Sequence, residues 1–160
     1  MRPLRSALSL REQSTFPMVR DSAKCNSISD MSDPVDFAKR YAEAWCSRNP
    51  ETVAAFFAEN ASLTVNGGPS APPLEVTRGF MRDFPDMIVT FDKLEPRGER
   101  IAFHWTLSGT YAGTGNHIRI SGYEIWRINN AGLIAESSGH FDAAEYERQI
   151  RHGVDAGRGD

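Results

Sequence analysis

Ile134-Ala135-Glu136-Ser137-Ser138-Gly139-His140-Phe141-Asp142 is the stretch on which the reading of this chain turns. It reads as the last strand of a sheet. Successive strand residues point to opposite faces, so Ile134, Glu136, Ser138, His140 and Asp142 are expected to share one. Ile134 suits a core, and the others bring a carboxylate, a hydroxyl and an imidazole. That mixture fits the wall of a pocket. It also fits a wet sheet end, with Asp142 only capping a helix that begins at Ala143.

Working back from this strand, three more strand candidates follow one another closely: Met87–Leu94, Ile101–Tyr111 and His117–Ile128. The segments between them, Pro96-Arg97-Gly98-Glu99, Gly113-Thr114-Gly115-Asn116 and Asn129-Asn130-Ala131-Gly132, carry hairpin-turn residues. Short turns between successive strands imply an antiparallel meander. A shorter strand is expected at Ala61–Val65, followed by the loop Gly67-Gly68-Pro69-Ser70-Ala71-Pro72-Pro73.

Helices are expected before and between these strands. Asp33-Pro34 is a cap followed by a good first helical residue, and Val35, Phe37, Ala38, Tyr41, Ala42 and Trp45 recur at helical spacing. Asn49-Pro50 repeats the signal, with Val53, Phe56 and Phe57 as the expected buried face. A short helix over Leu74–Asp83 turns Val76, Phe80 and Met81 inward, and a last one spans Ala143–Arg151 until Gly153. The order predicts an α+β architecture, a curved antiparallel sheet with helices on one face enclosing a cone-shaped pocket. Residues 33–152 form the expected domain. Residues 1–32 are expected to be disordered or loosely attached, and residues 153–160 a flexible tail.

Composition bounds the function. The chain has 160 residues, is 40% hydrophobic and has a net charge of −3, which gives no reason to propose nucleic acid or an anionic membrane as partner. Cys25 and Cys46 do not suggest a disulfide framework, so a reducing compartment, the cytoplasm, is the expectation. No apolar run approaches the ~20 residues needed to span a bilayer. The Ser- and Arg-rich first 30 residues fit an organelle leader or an extension upstream of a natural start at Met31.

Strand parity locates one anomaly. On Ile101–Ser108 the odd residues Ile101, Phe103, Trp105 and Leu107 should meet the helices. On Ile118–Ile128 the even residues Ile118, Ile120, Gly122, Glu124, Trp126 and Ile128 should do so. Glu124 is then the one carboxylate on an apolar face, costly unless paired or protonated. It either fixes the sheet through an Arg or a hydroxyl or belongs to a site. The outer face carries His104, Thr106, Arg119, Tyr123, Ile125 and Arg127, a mixture suited to packing against a second copy.

Phe84-Pro85-Asp86, the strand Ile101–Thr110, Gly122-Tyr123-Glu124-Ile125-Trp126-Arg127 and Gly132–Glu136 running on to Asp142 resemble the NTF2-like superfamily. Within it the chain is similar to the SnoaL-like polyketide cyclase and limonene epoxide hydrolase group, over about residues 33–152. The resemblance implies the cone-shaped fold. It matches Asp142 to the group's acid/base aspartate and Asn66 to an asparagine that holds water in the hydrolases. Ser138 stands where a Trp is usual, and Trp105 and Leu107 where the hydrolases carry an Arg and an Asp, so their Asp-Arg-Asp triad is absent.

These readings predict a cofactor-free enzyme acting on a small apolar substrate. Asp142 is the expected general base or acid, His140 or Glu124 its partner, and Asn66 the holder of water or a substrate oxygen. Tyr41, Trp45, Phe56, Phe103, Trp105, Leu107, Trp126, Glu136 and Ser138 are the expected substrate contacts. No metal is expected, the alternative being a loose set of Glu136, His140 and Asp142. The rival reading is a non-catalytic binding or dimerisation module. A homodimer through the outer sheet face is expected in either case.

Overall fold

The computed structural model describes residues 33–155, so the expectations for residues 1–32 and for residues 156–160 of the tail lie outside the described residues. The elements are α1 (Pro34–Trp45), α2 (Pro50–Ala54), β1 (Phe57–Val65), α3 (Pro73–Asp83), β2 (Ile88–Arg97), β3 (Arg100–Thr110), β4 (His117–Ile128), β5 (Ile134–Phe141) and α4 (Ala143–His152). The strands lie in the order β1-β5-β4-β3-β2. The sheet is curved and open, and the fold is the expected α+β arrangement. The four strands joined by short turns are antiparallel. β1 instead runs parallel to β5, which makes the sheet mixed. Only hairpin-joined neighbours are bound to alternate direction, and β1 is followed by a helix.

The helix starts follow their caps. Asp33 Oδ1 accepts from the Asp36 amide at 3.1 Å, and Asn49 Oδ1 from the Glu51 amide at 3.1 Å, each just before a proline. α1 buries Phe37, Ala38, Tyr41, Ala42 and Trp45 of the face its spacing defines, while Val35 in the first turn is exposed. α2 is shorter than expected. It stops at Ala54, and Phe57 opens β1 instead of extending the helical face. β1 carries extra residues relative to β5 between Phe57 and Ser62, where Asn60 turns through φ 65°.

The core lies between the helices and the inner face of the sheet. Phe103 stacks on Trp126 with centroids 4.9 Å apart, and Tyr41 stands edge-on to both. Gly122 makes room for the Trp105 ring, since a β-carbon there would lie 2.7 Å from Trp105 Cζ2 and against the His140 carbonyl.

One irregularity resets the last strand. Arg127 pairs with Glu136 but Ile128 pairs with Ile134, so Ala135 has no partner on β4. A bulge of one residue reverses the face of everything beyond it. Ile134 is inward, and so are Ser137, Gly139 and Phe141. Glu136, Ser138 and His140 therefore do not share a face with Ile134, contrary to the simple alternation. They stand on the outer face.

Candidate functional site

Five strands and three helices converge on an apolar cavity in the mouth of the cone. Leu63, Thr64 and Val65 of β1, Val89 of β2, Phe103, Trp105 and Leu107 of β3, and Ile120 and Glu124 of β4 supply part of its wall. Gly139 and Phe141 of β5 close that wall, while Trp45 of α1, Val76 and Phe80 of α3 and Tyr146 of α4 cover it. It leaves about 60 Å³ of room for the centre of a water-sized sphere.

Glu124 is the carboxyl group of this cavity. It is buried, at 7% exposed, and three donors meet on one of its oxygens. Oε1 accepts from the Tyr41 hydroxyl at 2.9 Å, the Trp126 indole N–H at 2.8 Å and the Ser137 hydroxyl at 2.8 Å. Oε2 receives only a longer approach, 3.3 Å, from the same Tyr41 hydroxyl. The donors come from α1, from β4 itself and from β5. The sequence left open an Arg or a hydroxyl as partner for this carboxylate, and the structure supplies two hydroxyls and an indole.

Burial pushes the Glu124 carboxyl above its ordinary pKa, although the bonds from Trp126, Ser137 and Tyr41 favour the charged form and pull the other way. Burial, and then the Glu124 charge, hold Tyr41 well above the usual tyrosine value. Burial also pushes Tyr146 up to about 12, aided by the charge of Asp83. Both phenols are therefore neutral donors at physiological pH.

The other expected site residues fall into three places. Trp45, Phe103, Trp105 and Leu107 line the cavity. Tyr41 and Trp126 lie behind it as holders of Glu124, and Phe56 packs edge-on against Phe37 and Tyr41. Glu136, Ser138 and His140 are outside, carried there by the bulge. Glu136 pairs with Arg100 at 3.0 Å and Arg127 at 3.2 Å, which hold its carboxyl below the usual range. Ser138 Oγ meets His140 Nε2 at 2.8 Å, and the imidazole stacks on Tyr123 at 5.0 Å.

Asp142 and Asn66 sit at the sheet end. Asp142 is exposed and accepts from the Glu145 amide at 3.0 Å, the geometry of a helix cap. Asn66 is exposed and accepts from the Phe141 amide at 2.9 Å. Neither is among the residues that form the cavity. No group of three His, Cys, Asp or Glu residues able to hold a metal occurs among the described residues.

Reasoning from the sequence missed Ser137, Phe141 and Tyr146. The first two carry an alternation signal, but only once the bulge is known. Tyr146 was legible in principle, because it shares a helical face with Ile150, and both pack against the core.

The family of the SnoaL-like domain matches residues 38–137, and the chain belongs to it. No curated protein matches the sequence. Among solved structures, AclR from Streptomyces galilaeus, a candidate hydroxylase, superposes with a TM-score of 0.63 at 13% identity, covering 73% of this chain and 94% of that one. A candidate SnoaL-like polyketide cyclase from Jannaschia sp. CCS1 gives 0.63 at 12% identity, with coverages of 72% and 90%. An NTF2-like protein of unknown function from Burkholderia pseudomallei K96243 gives 0.62 at 24% identity, with coverages of 75% and 98%. At these identities the likeness speaks for the fold.

Proposed function

We propose that the protein is an acid/base enzyme acting on a small, largely apolar substrate, with Glu124 as the group that takes and returns the proton. The observation that carries this reading is the asymmetry of the carboxyl group. Oε1 is saturated by donors from Tyr41, Trp126 and Ser137, and Oε2 of this cavity-lining residue is left with spare acceptor capacity. Three donors on Oε1 make Oε2 the oxygen that exchanges a proton. Burial brings the carboxyl toward the range useful for proton transfer near neutral pH. Tyr41, Trp126 and Ser137 are positioning residues, and the chemistry as drawn asks for no cofactor.

This reading moves the central role from Asp142, which caps a helix in the open, to Glu124. Reactions within reach are proton abstraction beside a carbonyl, aldol-type cyclisation, dehydration and epoxide opening. The test is turnover of a panel of cyclisable ketones and small epoxides by wild type, Glu124→Gln and Asp142→Asn. Activity that collapses in Glu124→Gln and survives in Asp142→Asn is the expected result. The opposite pattern would return the chemistry to Asp142.

A non-catalytic binding module is the second reading. It is favoured by the saturation of Oε1, which also describes a carboxyl group retained to order the core. Binding of panel compounds without turnover is its signature. Under both readings the protein is proposed to be a homodimer through the outer sheet face, where Tyr123 and Ile125 are half-buried.

A further inference from the structure

The lining of the cavity has a consistent electrostatic character. Its rings are Trp45, Phe80, Phe103, Trp105, Phe141 and Tyr146, and its carboxyl group is Glu124. No Lys, Arg or His is among the lining residues. Aromatic faces carry negative potential and attract cations, most strongly where water is excluded. The indole nitrogens of Trp45 and Trp105 are buried without hydrogen-bond partners, yet they are closed off from solvent space and so offer no donor to a ligand. The polar residues of the lining are Thr64, Tyr146 and Glu124, and the last is its one carboxyl group, with spare acceptor capacity on Oε2.

We propose that the ligand of this cavity is a small protonated amine, its N–H on Glu124 Oε2 and its alkyl carbons against the surrounding rings. The inference rests on the cavity being a small-molecule site and follows the binding reading of it, since the ammonium occupies the oxygen that the acid/base reading gives to proton transfer. A hard metal cation is a poor occupant, since it asks for several oxygen ligands and the wall offers one carboxyl group. An anion meets ring faces and a carboxyl group, and gains from neither. The size fits a molecule of a few heavy atoms, because about 60 Å³ of centre space corresponds to roughly four to six water-sized volumes.

Binding is coupled to one proton. The groups facing Glu124 are Tyr41 from α1, Ser137 from β5 and Trp126 on its own strand, and Tyr146 from α4 shares the cavity. Both tyrosines stay neutral below strongly alkaline pH, so Glu124, whose carboxyl burial raises above its ordinary pKa, is the lining group whose charge changes below that. Where Glu124 is protonated, the ammonium ion binds as the carboxyl proton leaves to solvent. Where it is already ionised, no proton is released.

The experiment compares tert-butylammonium chloride with tert-butanol, a near-isosteric neutral probe, by titration calorimetry on the full chain. It uses wild type and Glu124→Gln, at about pH 8 and about pH 5, in two buffers of different ionisation enthalpy. At the higher pH the ammonium should bind wild type at least about tenfold more tightly than the alcohol, a gap that costs about 1.4 kcal/mol. Its affinity should fall as pH drops below the Glu124 pKa, with a proton released on binding. Glu124→Gln should abolish the preference. Should that variant fold poorly, the pH series on wild type decides the question by itself. Alcohol binding as tightly as ammonium overturns the amine while leaving the cavity reading intact. Binding of neither probe overturns both.

Discussion

Glu124 sits between burial, which favours its neutral form, and three donors, which favour its charge. Because its folded pKa is raised above the ordinary value of about 4.3, the folded state keeps the proton longer than the unfolded chain does. Its contribution to stability is complete below that ordinary value and declines as pH rises toward the folded pKa. Glu124→Gln is neutral throughout, so its stability relative to wild type should improve across that window, as read by urea midpoints from about pH 4 to about pH 8. Parallel curves for the two proteins would rule this out. Gly122 makes a second prediction at this scale. The Cβ of Gly122→Ala would meet Trp105 and the His140 carbonyl, so the variant should lose about 1–3 kcal/mol. An unchanged urea midpoint would mean that the ring shifts freely. Glu124 was legible in the sequence because it broke an apolar alternation. Its partners were half legible: Tyr41 and Trp126 as aromatic residues, Ser137 not at all.

At the scale of elements, the four meander strands and the two proline-capped helix starts follow rules that need only local sequence. Turns at Gly98, Gly115 and Gly132, all at positive φ, are the positions that glycine permits without strain. What local rules could not give was the count of residues across a pair of strands. The partnerless Ala135 and the early stop of α2 at Ala54 are settled by packing against other elements, and no periodicity within a window records them. Asp142 gives the prediction that belongs here. As the cap of α4, its change to Ala should cost about 1 kcal/mol and its change to Asn only a few tenths. Ligand affinity in the cavity should stay as it is in both. A Glu124-like loss of binding in Asp142→Asn would show that the helix end reaches the site.

For the whole molecule, the layered architecture was readable from the order of elements, and the direction of β1 was not. The outer sheet face makes the prediction at this scale. Sedimentation should give the mass of two chains, and Ile125→Glu, in the middle of that face, should give the mass of one. A monomeric wild type would remove the dimer from the proposal. The unpaired Ala135 also reaches this scale. It works like a reading frame, since every residue of β5 beyond it is assigned to inside or outside by its presence. Were the bulge ironed out, with Ala135 pairing Arg127 and the pairing at Ile134 kept, Ser138 and His140 would turn into the cavity and Ser137 and Phe141 out. That slip of one residue in the pairing would place a second hydroxyl and an imidazole beside Glu124, with no change to the sequence. The chemistry available to this cone is thus set by whether one small residue finds a partner on the neighbouring strand.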